Sequence, residues 1–246
     1  MRLVVQALYD FRETAAEIFQ NETDKAADKG EDATRDALDT LGVSKVPVRL
    51  FGKIDYKRAR FIFHPEYALR QALFVDSKAE KQGLDIRLQI AQTSLRIWHD
   101  RSDGSGTIDE QGTLPRVLIA NGQELLTTTI FVKYVYRDLQ DSRHQLLQIK
   151  VAALPNGFLQ NRYNPSPQIH LWKVGPNSPQ NDEDFRARMS FSRLAMRCPW
   201  RQQIIPMVPE LFTWENGGYV TPPSQPIVAA AEEAALEQME SAEEGS

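Results

Sequence analysis

A short apolar run that ends in an acidic residue and a lysine constrains this chain more than any other segment. The run ALFV at 72–75 is typical of a buried strand, and Asp76 and Lys78 follow it with one serine between them. Alternate residues of a strand point to the same face of a sheet, so Asp76 and Lys78 are predicted to project together. The surrounding segment 50–81 predicts two or three strands, which allows Asp55 to join the pair from a neighbouring strand.

Two carboxylates beside one ammonium group suit a phosphodiesterase that depends on a divalent metal ion. Carboxylate oxygens are ligands for a hard ion such as Mg2+, which keeps several of its own waters. The metal polarises a phosphate and lowers the pKa of a bound water, and the lysine can orient that water or offset developing charge. An Asp-x-Lys triplet also arises by chance, so a solvated pair of Asp76 and Lys78 is the competing interpretation.

Six segments distributed along the chain carry a second and more specific signal. They are IDYKRAR from Ile54, LFVDSKAEK from Leu73, TTTIFVKYVYRDL from Thr127, NRYNPSP from Asn161, GPNSP from Gly175 and RLAMRCPWRQQ from Arg193. In composition, order and spacing they resemble the SfiI-type type II restriction endonucleases, a branch of the PD-(D/E)XK nuclease superfamily. The resemblance covers about residues 3–205, and RYNPxP and CPWR are far more specific than Asp-x-Lys.

The resemblance implies a role for each residue of the acidic and basic set. Asp55 and Asp76 would bind Mg2+ together with the backbone carbonyl of Ser77, and Lys78 would be the catalytic lysine that orients the attacking water. The residue before Asp55 is Ile54 rather than the proline of the superfamily's name. The charged residues after Lys78 also depart from the family, which leaves room for a different DNA target sequence.

The hydrophobic pattern along the chain predicts a mixed α/β domain. The predicted elements are helices over 2–20 and 31–41, one strand or a hairpin over 46–63, strands over 127–139 and 145–154, a loop over 100–112, and an irregular stretch over 155–182. The resemblance implies that this irregular stretch approaches DNA. Residues 84–97 fit either a strand or a helix. Glu31 either complements the dipole of the second helix or is an additional metal ligand of the kind that the superfamily often carries. The predicted fold class is α/β (α+β), with a central, partly antiparallel sheet flanked by helices, as in the restriction-endonuclease fold.

The charge of the chain is unevenly distributed. The net charge is −4, but residues 219–246 contain six glutamates and no lysine, arginine or aspartate. Without these six, 27 acidic residues face 29 basic residues, so the rest of the chain is nearly neutral. We therefore predict one domain over 1–218, which can still carry a basic cleft, and an acidic, flexible tail over 219–246. The balance argues against a general nucleic-acid coat protein, whose affinity depends on bulk positive charge.

Cysteine content and hydropathy bear on where the protein works. The chain contains one cysteine, Cys198, which excludes an intramolecular disulfide and fits a reducing cytosol. Its apolar runs are too short to span a membrane, and its N-terminal segment lacks the features of a secretory signal. We expect a cytoplasmic protein that does not contact a membrane.

The most basic local stretch lies near the end of the predicted domain. Five arginines fall within 16 residues: Arg186, Arg188, Arg193, Arg197 and Arg201. Arg186 and Arg188 alternate with apolar residues, as on one face of a strand. Because a guanidinium can donate two hydrogen bonds to guanine in the major groove, the first predicted base contact is Arg201, then Arg188 and Arg186. Arg197 is a further predicted DNA contact, some of these residues are expected to hold phosphates, and a solvated face is the alternative.

Two more basic residues lie beside the predicted active site. Lys57 and Arg58 fall on the predicted strand that follows Asp55. They are predicted either to contact DNA phosphates or to form a solvated strand face.

These features together predict a type II restriction endonuclease that hydrolyses double-stranded DNA in a Mg2+-dependent, site-specific reaction. By resemblance, the target is an interrupted, G/C-rich palindrome, and a companion DNA methyltransferase is expected. Cutting both strands of a palindrome requires two-fold symmetry, so a homodimer is implied, and the resemblance raises a homotetramer. The alternatives are a structure-specific repair or recombination nuclease of the same superfamily and a non-catalytic DNA-binding protein.

Overall fold

The structure is a computed structural model that describes residues 1–42, 45–49, 58–64, 68–81, 85–101, 104, 106–173, 186–207, 213–215 and 218–220. The helices in these ranges are α1 (Arg2–Asp10), α2 (Arg12–Asn21), α3 (Ala26–Asp39), α4 (Gln160–Tyr163) and α5 (Phe191–Arg197). The first nine strands are β1 (Lys45–Arg49), β2 (Arg58–His64), β3 (Leu69–Glu80), β4 (Asp85–Gln89), β5 (Arg96–Asp100), β6 (Thr107–Gln111), β7 (Val117–Ala120), β8 (Gln123–Asp138) and β9 (His144–Ala153). The remaining strands are β10 (Trp172–Lys173), β11 (Arg186–Ser190), β12 (Gln202–Pro206), β13 (Thr213–Glu215) and β14 (Gly218–Val220).

A mixed, mostly antiparallel sheet forms the centre of the domain, as predicted. Its strand order is β1-β2-β3-β8-β9-β12, and β7 also pairs with β8. The β3–β8 pair is parallel, whereas the β2–β3, β8–β9 and β9–β12 pairs are antiparallel. The predicted hairpin of β8 and β9 is confirmed, and β3 lies between β2 and β8 in the interior of the sheet. Asp76 and Lys78 lie beyond the stretch that pairs with β2, which ends at Leu73, and they pair with Phe131 and Lys133 of β8.

Helices α1 to α3 cover one face of the central sheet. Val4, Leu8 and Phe19 pack in one cluster with Val132 and Tyr134 of β8. The Phe19 and Tyr134 rings stack with their centroids 5.4 Å apart, and the hydroxyl groups of Thr34 and Tyr134 share a hydrogen bond of 2.9 Å. This apolar layer holds the face of β3 that is opposite to Asp76 and Lys78.

The helical boundaries differ from the predicted ones. The single helix over 2–20 is wrong, because α1 and α2 are separated at Phe11. The predicted start of the second helix at residue 31 is also wrong, since α3 begins at Ala26. Lys29 is buried there and donates hydrogen bonds to the carbonyl oxygens of Phe19, at 3.2 Å, and of Glu22. It thereby caps the last turn of α2, a tertiary interaction that a run of polar residues does not reveal.

A second layer covers part of the opposite face of the central sheet. Strands β10, β11 and β4 form a three-stranded antiparallel sheet in that order. Its apolar face contributes Trp172, Met189 and Leu88 to a cluster that also contains Phe131 of β8 and Ala152 of β9. Of the ambiguous segment 84–97, the described residues 85–97 contain β4, a short 3-10 turn and the start of β5.

Two loop predictions can be compared with the described residues. The loop over 100–112 is wrong in its second half, because β6 pairs with β5 in an antiparallel hairpin. The stretch 155–182 contains α4 and β10 with irregular backbone between them, and its part beyond residue 173 lies outside the described residues. Of the predicted tail, residues 219 and 220 belong to β14, and residues 221–246 lie outside the described residues.

Candidate active site

Asp76 and Lys78 lie together on β3, as their spacing predicts. The Asp76 side chain is 2% exposed and the Lys78 side chain 34% exposed, and Nζ of Lys78 lies 3.2 Å from Oδ2 of Asp76. Moving a carboxylate out of water is costly unless an opposite charge compensates it. Lys78 provides that charge while its ammonium group keeps partial access to solvent. A buried carboxylate with a half-exposed ammonium partner, on a strand that pairs with β8 along this stretch, is an arrangement that can hold two functional groups in a fixed relative position.

Of the other two predicted metal ligands, the structure describes Ser77 but not Asp55. Ser77 follows Asp76 in the interior of β3, and its side chain is buried on the opposite face, so only its backbone carbonyl is a candidate ligand. Asp55 lies outside the described residues, three positions before the start of β2. Within the described part of the chain, no three histidine, cysteine, aspartate or glutamate side chains converge on one point. Glu31 is exposed in the second turn of α3. The acidic residue that lies in the first turn, near the positive end of the helix dipole, is Asp28.

Two buried lysines share the face of Asp76 and Lys78, and sequence reasoning missed both. Lys133 of β8 is the register partner of Lys78 in the parallel pair, and Lys150 of β9 is the register partner of Lys133. Both lysines are buried, and Nζ of Lys133 lies 2.8 Å from Oε2 of Glu80. The sequence feature that could have revealed them is a lysine within each of two strongly apolar strands, since lysine is rarely fully buried unless it is paired.

A second group of cations lies on the outer face of the three-stranded sheet. Arg188 of β11 pairs in register with Lys173 of β10 on one side and with Arg87 of β4 on the other. The flanking residues Leu88 and Trp172 are buried, so these three cations project from the opposite, polar face. Arg87 is exposed, and Lys173 and Arg188 are partly exposed. Arg87 and Lys173 were missed because only the register of the strands brings them beside Arg188.

The remaining predicted DNA contacts occupy two other places. Arg186 opens β11 and is the register partner of Gln89, while Arg58 opens β2. Lys57 lies outside the described residues. Arg197 is the last residue of α5, and Arg201 ends the short 3-10 turn that follows it. Neither residue belongs to the strands that carry Lys173, Arg188 and Arg87.

Arg197 and Arg201 connect the two most specific motifs of the sequence. Nε of Arg201 donates a hydrogen bond of 2.9 Å to the hydroxyl of Tyr163, and its guanidinium lies 5.1 Å from the centroid of that ring. Arg197 donates to the carbonyl oxygen of Tyr163, and burial, followed by the charge of Arg193, lowers its pKa. Tyr163 of the RYNP motif and Arg201 of the CPWR motif therefore pack against each other.

Histidines contribute packing rather than a ligand cluster in the described residues. The rings of His99 and His170 stack with their centroids 5.4 Å apart. Nδ1 of His170 accepts a hydrogen bond of 3.1 Å from the backbone of Trp172. Burial, together with the charge of Arg193, lowers the pKa of His170 to about 4. Both features favour a neutral, structural imidazole.

Comparisons with known proteins agree with this geometry. Residues 6–205 match the family model described as "Type II restriction enzyme SfiI". Type II restriction enzyme SfiI of Streptomyces fimbriatus is 35% identical over 217 residues, which cover 82% of this chain and 80% of that protein. A crystal structure of tetrameric restriction endonuclease SfiI bound to cognate DNA superimposes with a TM-score of 0.76 and 29% identity, covering 90% of each chain. The restriction endonuclease BglI, bound to its DNA recognition sequence, superimposes with a TM-score of 0.63 over 84% of this chain and 88% of that one; at 18% identity it shows the fold alone.

The central mixed sheet, with an Asp-x-Lys pair on its interior strand, defines a nuclease of the restriction-endonuclease fold. The chain belongs to the SfiI family of type II restriction enzymes. It is accordingly a type II site-specific deoxyribonuclease. No helix in the described ranges has the length and apolar character needed to cross a membrane.

Proposed function

We propose that the chain hydrolyses double-stranded DNA in a Mg2+-dependent reaction at an interrupted, G/C-rich palindrome, with its active site on β3. The observation that carries the proposal is the deeply buried Asp76 carboxylate, 3.2 Å from the ammonium group of Lys78. Restriction endonucleases generally act with a divalent metal ion, and carboxylate and carbonyl oxygens are the hard donors that Mg2+ prefers. Asp76 and the carbonyl of Ser77 fit that requirement.

Each residue of the proposed site has a defined task. Asp55, Asp76 and the Ser77 carbonyl would hold the ion, which when bound supplies positive charge to the scissile phosphate. Lys78 donates a hydrogen bond that orients the attacking water and offsets negative charge that develops on the phosphate oxygens. Because Asp76 and Lys78 share one face of a rigid strand, the water and the phosphate are held in a fixed relative position. The products are a 5′-phosphate and a 3′-hydroxyl end.

The polar face of the three-stranded sheet is the proposed surface for DNA recognition. SfiI and BglI are each described in complex with DNA that carries their recognition sequence. Strands can enter the major groove, where an arginine fork recognises the O6 and N7 atoms of guanine. The row of Lys173, Arg188 and Arg87 supplies this chemistry, and Arg186 lies on the same strand as Arg188.

The other basic residues are proposed as supporting contacts. Arg201 and Arg197 both donate hydrogen bonds to Tyr163 and would thereby position the backbone next to it. Alternatively, either guanidinium group would contact the DNA in the complex. Arg58, at the start of β2, and Lys57, which precedes it in the sequence, would hold phosphates near the scissile bond.

The proposed assembly is a homo-oligomer. One chain carries one Asp76–Lys78 pair, so cutting both strands of a palindrome requires at least a homodimer. The DNA-bound SfiI structure is tetrameric, which favours a homotetramer here. A companion DNA methyltransferase and a cytoplasmic location follow from a restriction role. The relatives described above support neither the repair-nuclease alternative nor the non-catalytic one.

Digestion of a large, fully sequenced DNA in Mg2+ tests the proposal. The wild type is run beside Asp76→Ala, Lys78→Met and, as a control, Asp36→Ala on the exposed side of α3. We expect discrete ends at one interrupted palindrome, a loss of rate of at least about 10²-fold in the two β3 variants, and full activity in the control. Cutting that survives Asp76→Ala would place the active site elsewhere, and ends without a common sequence would contradict the proposed specificity.

A further inference from the structure

Three ammonium-bearing residues occupy one row across the centre of the sheet. Lys78 of β3, Lys133 of β8 and Lys150 of β9 are successive register partners, so their side chains leave the same face. Lys133 is the middle member, and its side chain is 2% exposed. A buried ammonium requires a nearby negative charge, because otherwise its desolvation is not compensated. The carboxylates near Lys133 therefore determine which way its ammonium group turns.

Two carboxylates flank this row on β3, one on each side of Lys78. Asp76 and Glu80 are the residues two positions before and two positions after Lys78, and both share its face. Each is two positions along β3 from Lys78, the register partner of Lys133, and Lys133 itself reaches Glu80 from across the pair. In the structure, Nζ of Lys133 lies 2.8 Å from Oε2 of Glu80, and Nζ of Lys78 lies 3.2 Å from Oδ2 of Asp76.

We propose that Glu80 is a positioning residue that holds the ammonium group of Lys133 away from Asp76, so that Asp76 stays available to a divalent cation and to Lys78. The inference rests on the proposed role of Asp76 as a metal ligand. Glu80 does not reach the metal or the DNA in this scheme; it acts through Lys133. Its side chain is 39% exposed, so it can provide the negative charge without being fully desolvated itself.

The consequence of losing Glu80 follows from the same register. With glutamine at this position, Lys133 keeps its buried charge but loses the carboxylate on the far side of Lys78. Asp76 is the other carboxylate that β3 presents diagonally to Lys133, and the four-carbon lysine side chain is flexible enough to turn toward it. A second ammonium on Asp76 would then compete with a cation for the same oxygens.

Binding of Mn2+ to the DNA-free protein, followed by the electron paramagnetic resonance signal of free Mn2+, tests this inference without cleavage. We expect Glu80→Gln to bind Mn2+ about tenfold more weakly than the wild type, the scale on which one nearby charge shifts a carboxylate equilibrium. The double variant Glu80→Gln/Lys133→Met removes the competing ammonium and is expected to recover wild-type affinity. Glu124→Gln, at the exposed start of β8, is the matched control and should bind Mn2+ as the wild type does.

The outcomes separate this inference from the proposed function. Wild-type Mn2+ affinity in Glu80→Gln, or weak binding that Lys133→Met does not restore, would overturn the role of Glu80. Asp76→Asn tests the site itself: loss of Mn2+ binding there keeps the proposed metal site regardless of the Glu80 result, whereas retained binding would overturn both. If Glu80→Gln does not fold, the double variant and Lys133→Met alone still decide the matter, since both are expected to bind Mn2+ at least as tightly as the wild type.

Discussion

Asp76 and His170 are both ionisable side chains that are withdrawn from water, but their surroundings compensate them differently. Asp76 has the ammonium group of Lys78 at 3.2 Å. His170 instead has Nη1 of Arg193 at 3.2 Å from its Nδ1 and stacks on a second imidazole, that of His99. A nearby positive charge stabilises a carboxylate and destabilises an imidazolium. At the residue scale, a neighbouring cation therefore favours the charged form of the Asp76 carboxylate and disfavours the charged form of the His170 imidazole.

His170 gives a prediction for stability in acid. Its pKa in the folded chain is lowered to about 4, mainly by burial and then by Arg193, from an ordinary value of 6.5. Between these values the unfolded chain binds a proton that the folded chain does not, so stability is complete above pH 6.5 and is lost as the pH falls toward 4. We expect the melting temperature of the wild type to fall over this window more steeply than that of His170→Gln, measured by calorimetry.

The comparison of the two curves contains its own control. Protonation of carboxylates destabilises both proteins alike, so only the difference between the curves reports on His170. Curves that run parallel from pH 6.5 to pH 4 would show that the imidazole is charged in the folded protein or does not contribute.

At the scale of elements, the three-stranded sheet joins cations that are far apart in the sequence. Arg87 and Lys173 lie on either side of Arg188 only because β4 and β10 both pair with β11. Their other faces contribute Leu88, Trp172 and Met189 to the buried cluster, so the sheet cannot turn its cations inward. A rigid basic face of this kind can position several side chains toward DNA at once.

Arg87→Ala tests this surface. We expect it to weaken binding to cognate DNA by about 1–3 kcal/mol if Arg87 contacts a base, with a matching loss of discrimination against single-base changes in the site. Binding is measured by fluorescence anisotropy in Ca2+ or without metal at several salt concentrations. Arg143→Ala, on the exposed turn between β8 and β9, removes the same charge away from the sheet and should leave discrimination unchanged. Equal effects of the two variants would mean that Arg87 acts only through net charge.

Local sequence patterns were sufficient for the elements whose contacts follow from their own periodicity. The β3 triplet and the β8–β9 hairpin are visible as apolar runs and alternation, because each strand buries a face that its own residues define. The start of α3 was not visible, because Lys29 is buried by contact with the carbonyl oxygens at the end of α2. The lysine row was missed for the same reason: Lys133 and Lys150 are placed beside Lys78 by strand register, which no single segment encodes.

At the scale of the whole molecule, the sheet places one candidate site in each chain. A palindromic DNA site presents two scissile phosphates related by a two-fold axis. One Asp76–Lys78 pair can therefore reach both only if the chain dissociates and rebinds in the opposite orientation. With a chain mass of 28.0 kDa, the expected species in sedimentation is about 56 kDa for a homodimer or about 112 kDa for a homotetramer. The proposed homotetramer corresponds to the larger mass.

Mixed oligomers test whether each chain cuts one strand. Wild-type and Asp76→Asn chains are co-expressed with different affinity tags, and oligomers that contain both are purified and given a supercoiled plasmid with one recognition site. We expect an Asp76→Asn chain to bind DNA but not to cut it, so a site that is held by one wild-type and one variant chain is cut in one strand only. Mixed oligomers should then accumulate nicked circles from such pairs, with linear product only from pairs of wild-type chains, whereas the all-wild-type enzyme gives linear product without first accumulating nicked circles. If each chain instead cut both strands in turn, mixed oligomers would give linear product at a reduced rate, and a monomeric mass for the active wild type would support that result independently. Nicking confined to mixed oligomers would show that the two-fold arrangement of chains, rather than any feature of one chain, produces the double-strand break.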